Sequence, residues 1–349
     1  MERHVVFGED ATEFRMARAA CGDRTVYEWL ESWINPESIE LNVMVEVLEE
    51  IGRGWRSTAA ADRDDLLQAV ETADVLVIER EPVDQELLDH ASSVLQRVVV
   101  LGTITNNIDL DACASRGIDV RTVPRPTTAS IAEHVMMFLL VLARGFVGDA
   151  QVRAEDPVPP QSASAVESGG HPPTILNWKG ARPPIVLRGR RLGVLGAGET
   201  ARAVMRQARS FGMEVGFWSR SKHPQLEEEL GARWIDLEAL PGWADAVSIH
   251  LAFSPELKYI VDEGFLEKLG PEGIVVNAAR GMLLDFDALE RALRAGTILG
   301  AGLDVFPEEP AVPRGLFGLP NVALTPHVAA GSRWLLVDDV RAIFAAVNG

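Results

Sequence analysis

The sequence predicts an α/β protein built from two doubly wound parallel sheets with a cleft between them, and three observations carry that expectation. Short apolar runs recur along the 349 residues with helix-like stretches between them, which is the signature of strand–helix–strand units. From Leu192 onward the alternation is regular over more than a hundred residues. At its start, LGVLGAGETA (192–201) runs from an apolar strand straight into a glycine-rich turn.

The elements follow in chain order. His4 to Phe7, Ala73 to Ile78, Val98 to Leu101 and Val120 to Val123 read as strands of a first unit covering residues 1–127. Ser130 to Arg144 has the length and apolar density of a buried connecting helix. Residues 149–184 are rich in Pro and Ser with paired Gly, so a packed element is not expected there. A loop over a site and a plain surface insertion are both open for that segment. The second unit then offers LGVLG, MEVGFW, AVSIHL, GIVVN, GAGLDV and NVALT as strands, with helices such as DFDALERALRAG between them.

The turn Gly196-x-Gly198-x-x-Ala201 sits where a dinucleotide fold of the Rossmann type needs it. Gly196 permits the tight turn, Gly198 lets a pyrophosphate approach the backbone, and Ala201 lets the helix pack close to the strand. The helix N-terminus beyond, at Glu199 and Thr200, offers N–H groups to phosphate. Some twenty residues on, where an NAD site carries an acid for the ribose, the chain reads Trp218-Ser219-Arg220-Ser221-Lys222. Hydroxyls and a guanidinium donate to a 2′-phosphate that a carboxylate would repel, which favours NADP(H), with NAD(H) the alternative. A solvated polar turn is the plain reading of the same residues.

A net charge of −18, from 33 basic and 51 acidic residues, argues against nucleic acid and anionic membranes as partners. Cys21 and Cys113 lack metal-ligand spacing, so neither a disulfide framework nor a metal is expected, and a reducing compartment fits. MERHVVFGED has no apolar signal core, and VMMFLLVLA from Val135 is too short to span a bilayer. A cytoplasmic protein is the expectation.

Three polar residues stand after successive strands of the second unit: Arg280 after GIVVNAA, Glu309 after GAGLDVFPE and His327 after NVALTP. Loops at the carboxyl ends of parallel strands line the ligand crevice. Singly, they also read as a helix-end charge, a solvated loop acid and a satisfied loop histidine. Together they supply a base, an acid to orient it and an anion clamp, which is what carbonyl reduction needs.

Here the chain resembles the D-isomer-specific 2-hydroxyacid dehydrogenases. The likeness runs from about Asp74 to Gly331, through NNIDLDACASRGIDV, TTASIAEHVMMFLLVLAR, VNAARGMLLDFDALERAL, GAGLDVFPEEP and LTPHVAAGS. WSRS is similar to the NADPH-using glyoxylate/hydroxypyruvate reductases of that family. The resemblance implies a substrate domain of residues 1–127 plus 328–349 and a dinucleotide domain of 128–327, assembled as a homodimer acting on a small 2-oxo or 2-hydroxy acid. It implies that Arg280 binds the substrate carboxylate and ketone oxygen, that His327 transfers the proton, and that Glu309 holds the imidazole. A carboxylate beside a histidine stabilises the imidazolium, and a guanidinium fork suits a carboxylate. It places Asp304, the Ala279 carbonyl and His250 on the cofactor, and the amides of Thr103 and Ile104 on the substrate carboxylate. The chain departs from the family at Ile104, where a glycine is usual, at Arg125, which replaces the glycine of a P-G-x-N-T turn, and at Ala252, which replaces a proline. These departures bear on substrate identity, since the trio is intact. Two other readings of the scaffold remain: formate or phosphite oxidation, where formate dehydrogenases pair the histidine with Gln rather than Glu, and a dinucleotide-regulated corepressor.

Overall fold

The computed structural model describes residues 3–9, 12–26, 29, 39–148, 150–154, 156, 177, 179–331 and 333–349. Two compact units emerge: residues 1–128 with 330–349, and residues 129–329. Most of the Pro-rich 149–184 segment lies outside the described residues. No helix among the described residues is long and apolar enough to cross a membrane.

The first unit holds five parallel strands in the order β2-β1-β3-β4-β5, formed by Arg3–Phe7 (β1), Trp55–Ala59 (β2), Val75–Ile78 (β3), Arg97–Leu101 (β4) and Asp119–Val123 (β5). Its central strands are apolar on both faces because helices cover both. Val5, Phe7, Val75, Val77, Val99 and Leu101 pack with the helices Thr12–Ala20, Ile39–Ile51 and Arg333–Asn348. The alternate residues Val6, Leu76, Ile78, Val98 and Val100 pack on the other side with Leu66, Leu87 and Cys113. β2 (WRSTA) escaped the sequence reading because it is a polar edge strand, half exposed along most of its length.

The second unit holds seven parallel strands in the order β12-β11-β10-β9-β6-β7-β8: Arg191–Leu195 (β6), Glu214–Trp218 (β7), Arg233–Trp234 (β8), Ala246–Ile249 (β9), Ile274–Asn277 (β10), Gly300–Leu303 (β11) and Val322–Leu324 (β12). The order reverses between β6 and β9, which is the position where such sheets open a crevice for a ligand. The apolar helix Thr127–Ala143 lies on one face of this sheet, with Phe138 against β11. Gly302 is required there: a Cβ would stand 2.5 Å from the Phe138 ring. Aspartates start many of the helices. Asp62, Asp84, Asp109, Asp262 and Asp285 each accept an N–H from the first turn that follows, filling part of its unmet donor capacity.

One buried acid in the first unit has an energetic consequence. Asp339, fully buried on the helix Arg333–Asn348, accepts the Thr127 N–H at 3.5 Å through Oδ1, while Oδ2 has no hydrogen-bond partner among the described residues. Burial first, then the charge of Glu13, pushes its carboxyl up to about 7 against the opposing pull of Thr127 and Arg125. A carboxyl raised on folding contributes stability in full below its unfolded pKa, and that contribution is lost as pH climbs through the folded value. Thermal melts should show the wild type losing about 1–3 kcal/mol more than Asp339→Asn between about pH 4 and pH 8. Parallel stability profiles for the two proteins would remove Asp339 as the source.

Candidate active site

The second unit collects most of the sequence-predicted residues at the carboxyl edge of its sheet. Gly196, directly after β6, has φ +123°, and its N–H donates to Trp218 O at 2.8 Å. A Cβ on it would lie 2.4 Å from His250 O, so only glycine lets the turn pass the end of β9. Gly198 is the N-cap of the helix Glu199–Ser210 and, unlike the aspartates above, brings no side-chain acceptor to that helix. Among the described residues nothing lies within 4 Å of where its Cβ would be. With Ala201 buried behind it, this end of the helix fits a pyrophosphate.

At the end of β7, Ser219 is buried, and its hydroxyl donates to Ser221 O at 2.7 Å. Its carbonyl accepts from Trp234 Nε1 at 3.2 Å, which fixes the turn. Arg220 is 78% exposed and stands 3.9 Å from Glu256, while Lys222 lies over the Trp234 ring. The end of β7 therefore presents a guanidinium on a rigid turn and no carboxylate of its own. His250, after β9, pairs its Nε2 with the Ser248 hydroxyl at 2.7 Å. Burial pushes its pKa down to about 3, so the ring is neutral.

At the end of β10, Asn277 is fully buried and holds the turn that carries Arg280. Its Nδ2 donates to Arg280 O at 3.0 Å, and its Oδ1 accepts from Ala279 N at 3.0 Å. The exposed guanidinium of Arg280 donates to Ala279 O at 2.7 Å. Glu309 Oε2 lies 2.5 Å from His327 Nδ1, and its Oε1 accepts from Phe306 N at 2.9 Å. The acid is thus fixed at one oxygen and fixes the imidazole with the other.

His327 itself has a left-handed backbone, φ +53°, a conformation costly for a residue with a Cβ. The loop is held there by Asp304, only 1% exposed after β11. Its Oδ1 accepts from Val328 N (2.8 Å) and the Thr325 hydroxyl (2.5 Å), its Oδ2 from Ala329 N (2.8 Å), and its backbone carbonyl from His327 N (2.9 Å). Because Thr325 gives its proton to Asp304, it accepts from His134 Nε2 at 2.9 Å. Burial lowers the pKa of His134 against the pull of Asp304, so its ring is neutral with the proton on Nε2. Ser130, one turn earlier on the same helix, donates to Ala329 O at 2.8 Å. Sequence reasoning gave no role to Asn277, Ser130, His134 or Thr325. They lie inside the quoted VNAARG, TTASIAEH and LTPH stretches, and that was the one signal available.

In the first unit, Thr103 and Ile104 follow β4 on an exposed loop. Gly102 N donates to Val123 O at 2.8 Å and anchors the start of that loop. Among the described residues no group of three or more His, Cys, Asp or Glu side chains is placed to hold a metal.

Residues 165–329 match the family model of the D-isomer specific 2-hydroxyacid dehydrogenase NAD-binding domain. The chain is 35% identical over 291 residues to the glyoxylate reductase of Thermococcus litoralis, covering 83% of each chain. It is 35% identical over 280 residues to that of Pyrococcus furiosus, covering 80% of this chain and 79% of the other. The solved PH0520 protein of Pyrococcus horikoshii shares the fold, with a TM-score of 0.62 at 22% identity over 100% of this chain and 92% of that one. A dinucleotide turn at the sheet's reversal point, the three loops beyond it and these likenesses lead to one conclusion: the chain belongs to the D-isomer specific 2-hydroxyacid dehydrogenases, nicotinamide-dinucleotide oxidoreductases acting on CH–OH groups.

Proposed function

We propose that this protein reduces a small 2-oxo acid to the corresponding D-2-hydroxy acid with NADPH, with glyoxylate as the first candidate substrate. The observation that carries the reading is the 2.5 Å pairing of His327 Nδ1 with Glu309, in the unit that also carries the dinucleotide turn. The relatives named glyoxylate reductase supply the substrate candidate.

A bound nicotinamide dinucleotide supplies one thing, a hydride for the carbonyl carbon. Gly196, Gly198 and the amides of Glu199 and Thr200 hold its pyrophosphate. Arg220 and the Ser221 hydroxyl take the 2′-phosphate on a turn that Ser219 holds through its own bond to the Ser221 carbonyl, and His250, the Ala279 carbonyl and Asp304 serve the nicotinamide end. Arg280 pairs with the substrate carboxylate and polarises the ketone oxygen. With Nδ1 directed at Glu309, Nε2 of His327 is left to protonate the oxygen at C2 as its charge develops. Asp304 and Thr325 act through the backbone of the loop, holding His327 in its left-handed conformation. A homodimer in the cytoplasm completes the reading, and the mass in solution tests the first half of it.

Three outcomes check the reading. His327→Ala should lower kcat by about 10²–10⁴-fold while fluorescence titration finds NADPH binding intact. Equal loss of dinucleotide affinity would make His327 structural. Ser219→Asp with Arg220→Ile should shift preference toward NADH by about tenfold or more, since a carboxylate repels the 2′-phosphate and accepts from a free ribose hydroxyl. A wild type that already uses both cofactors equally contradicts the assignment. Thr325→Val leaves Asp304 short of a donor and His134 short of an acceptor, and should cost about 1–3 kcal/mol in stability together with a fall in kcat. Thr325→Ser should restore both, and a kcat unmoved by Thr325→Val would show that the loop holds His327 without this bond.

A further inference from the structure

The loops after β1, β3, β4 and β5 leave the same edge of the parallel sheet in the first unit, and charged groups of those after β1, β3 and β5 form one linked set. Three successive amides, of Glu79, Arg80 and Glu81, donate to Glu9 Oε1 at 2.7, 2.5 and 3.2 Å. The Arg80 guanidinium stands 3.5 Å from Glu9 and 3.8 Å from Glu79. Glu79 Oε1 lies 2.5 Å from the Arg125 guanidinium, and the two side chains are only 20% and 24% exposed. Screening of such a pair is weaker than at the open surface.

Topology fixes what this pair borders. Glu79 directly follows β3, Arg125 comes two residues after β5, and β4 lies between those strands. Neighbouring strands are ~4.8 Å apart, so the ends of β3 and β5 are ~10 Å apart. An ion pair joining residues 79 and 125 therefore passes the end of β4, where Gly102, Thr103 and Ile104 follow. The same loop is fastened on its other flank by Asn107 Nδ2, which donates to Glu81 O at 2.9 Å. Arg125 is also one of the positions where the chain departs from the family resemblance.

We propose that the Glu79–Arg125 ion pair is the specificity determinant for the substrate's side-chain end, admitting 2-oxo acids with one carboxylate and a small uncharged side chain and excluding 2-oxo dicarboxylates. The inference rests on the 2-oxo acid reduction proposed above. A second carboxylate reaching past Thr103 meets a cation already neutralised at 2.5 Å. Beside it the acids Glu9 and Glu79 are matched by Arg80 and Arg125, so the rim presents a second carboxylate with paired charges and no net positive field to attract it. Ile104, 47% exposed on the loop, adds apolar surface where the family has glycine.

The test compares kcat/KM for glyoxylate and pyruvate with that for oxaloacetate and 2-oxoglutarate, using NADPH. The wild type should disfavour the dicarboxylates by about 100-fold or more, and Glu79→Gln should narrow that ratio by about tenfold. Glu79→Gln removes one negative charge while leaving the backbone amides on Glu9 in place. Arg125→Gln, which leaves Glu79 unbalanced, should widen the ratio. A wild type within about tenfold for the two classes, or a ratio unmoved by Glu79→Gln, overturns the assignment and leaves the reaction standing. A wild type that reduces none of the four acids overturns the reaction and the specificity with it.

Discussion

The carboxylate of Asp304 is the constraint on which the candidate site depends. Four bonds converge on this one buried residue: two loop amides and a threonine hydroxyl on its carboxylate, and the His327 N–H on its carbonyl. A buried charge is tolerated only where hydrogen bonds replace its hydration, and here the replacement is the loop that carries the imidazole. The same bonds offset the cost of the left-handed backbone at His327. The second half of the arrangement comes from the helix Thr127–Ala143. His134 completes the chain of donors through Thr325, and Ser130 ties down Ala329. Packing of Phe138 against Gly302 sets how close that helix approaches the sheet, so a glycine in the middle of β11 takes part in placing a histidine beyond β12.

Much of this was legible in the chain. Most strands of both sheets are apolar runs of four or five residues, and the glycine turn after β6 sits between a strand and a helix, where its spacing has meaning. Arg280, Glu309 and His327 could be picked out because each follows a strand that shares one sheet. What the sequence concealed has physical reasons. β2 is polar and β8 only two residues long, so neither carries an apolar signature. Asn277 looks like an ordinary strand end and Thr325 like an ordinary loop residue until their bonds are seen. His134 lies 191 residues from its partner Thr325, and Glu79 is 46 positions from Arg125, separations at which no local pattern survives.

Charge is handled differently in the two units. Around Glu9, Glu79 and Arg125 the first unit balances acids against backbone amides and guanidiniums, and the rim is rigid because each group has a partner. In the second unit the cations proposed for anion binding, Arg220 and Arg280, are exposed on turns fixed by other residues. A protein with a net charge of −18 that binds anions needs such separation, since its overall field opposes them.

The first unit is assembled from two stretches of chain that the second unit separates in sequence. One face of its sheet, with Val5, Phe7, Val99 and Leu101, is covered in part by Leu336, Val340, Ile343 and Phe344 of the helix Arg333–Asn348. On the ribosome, all five strands of that sheet emerge some two hundred residues before the helix that seals them. The second unit, encoded later, has every one of its strands available before that helix exists. The half translated first is thus the last to be enclosed, and until then its exposed valines are where a nascent chain is open to chaperones and to misassociation.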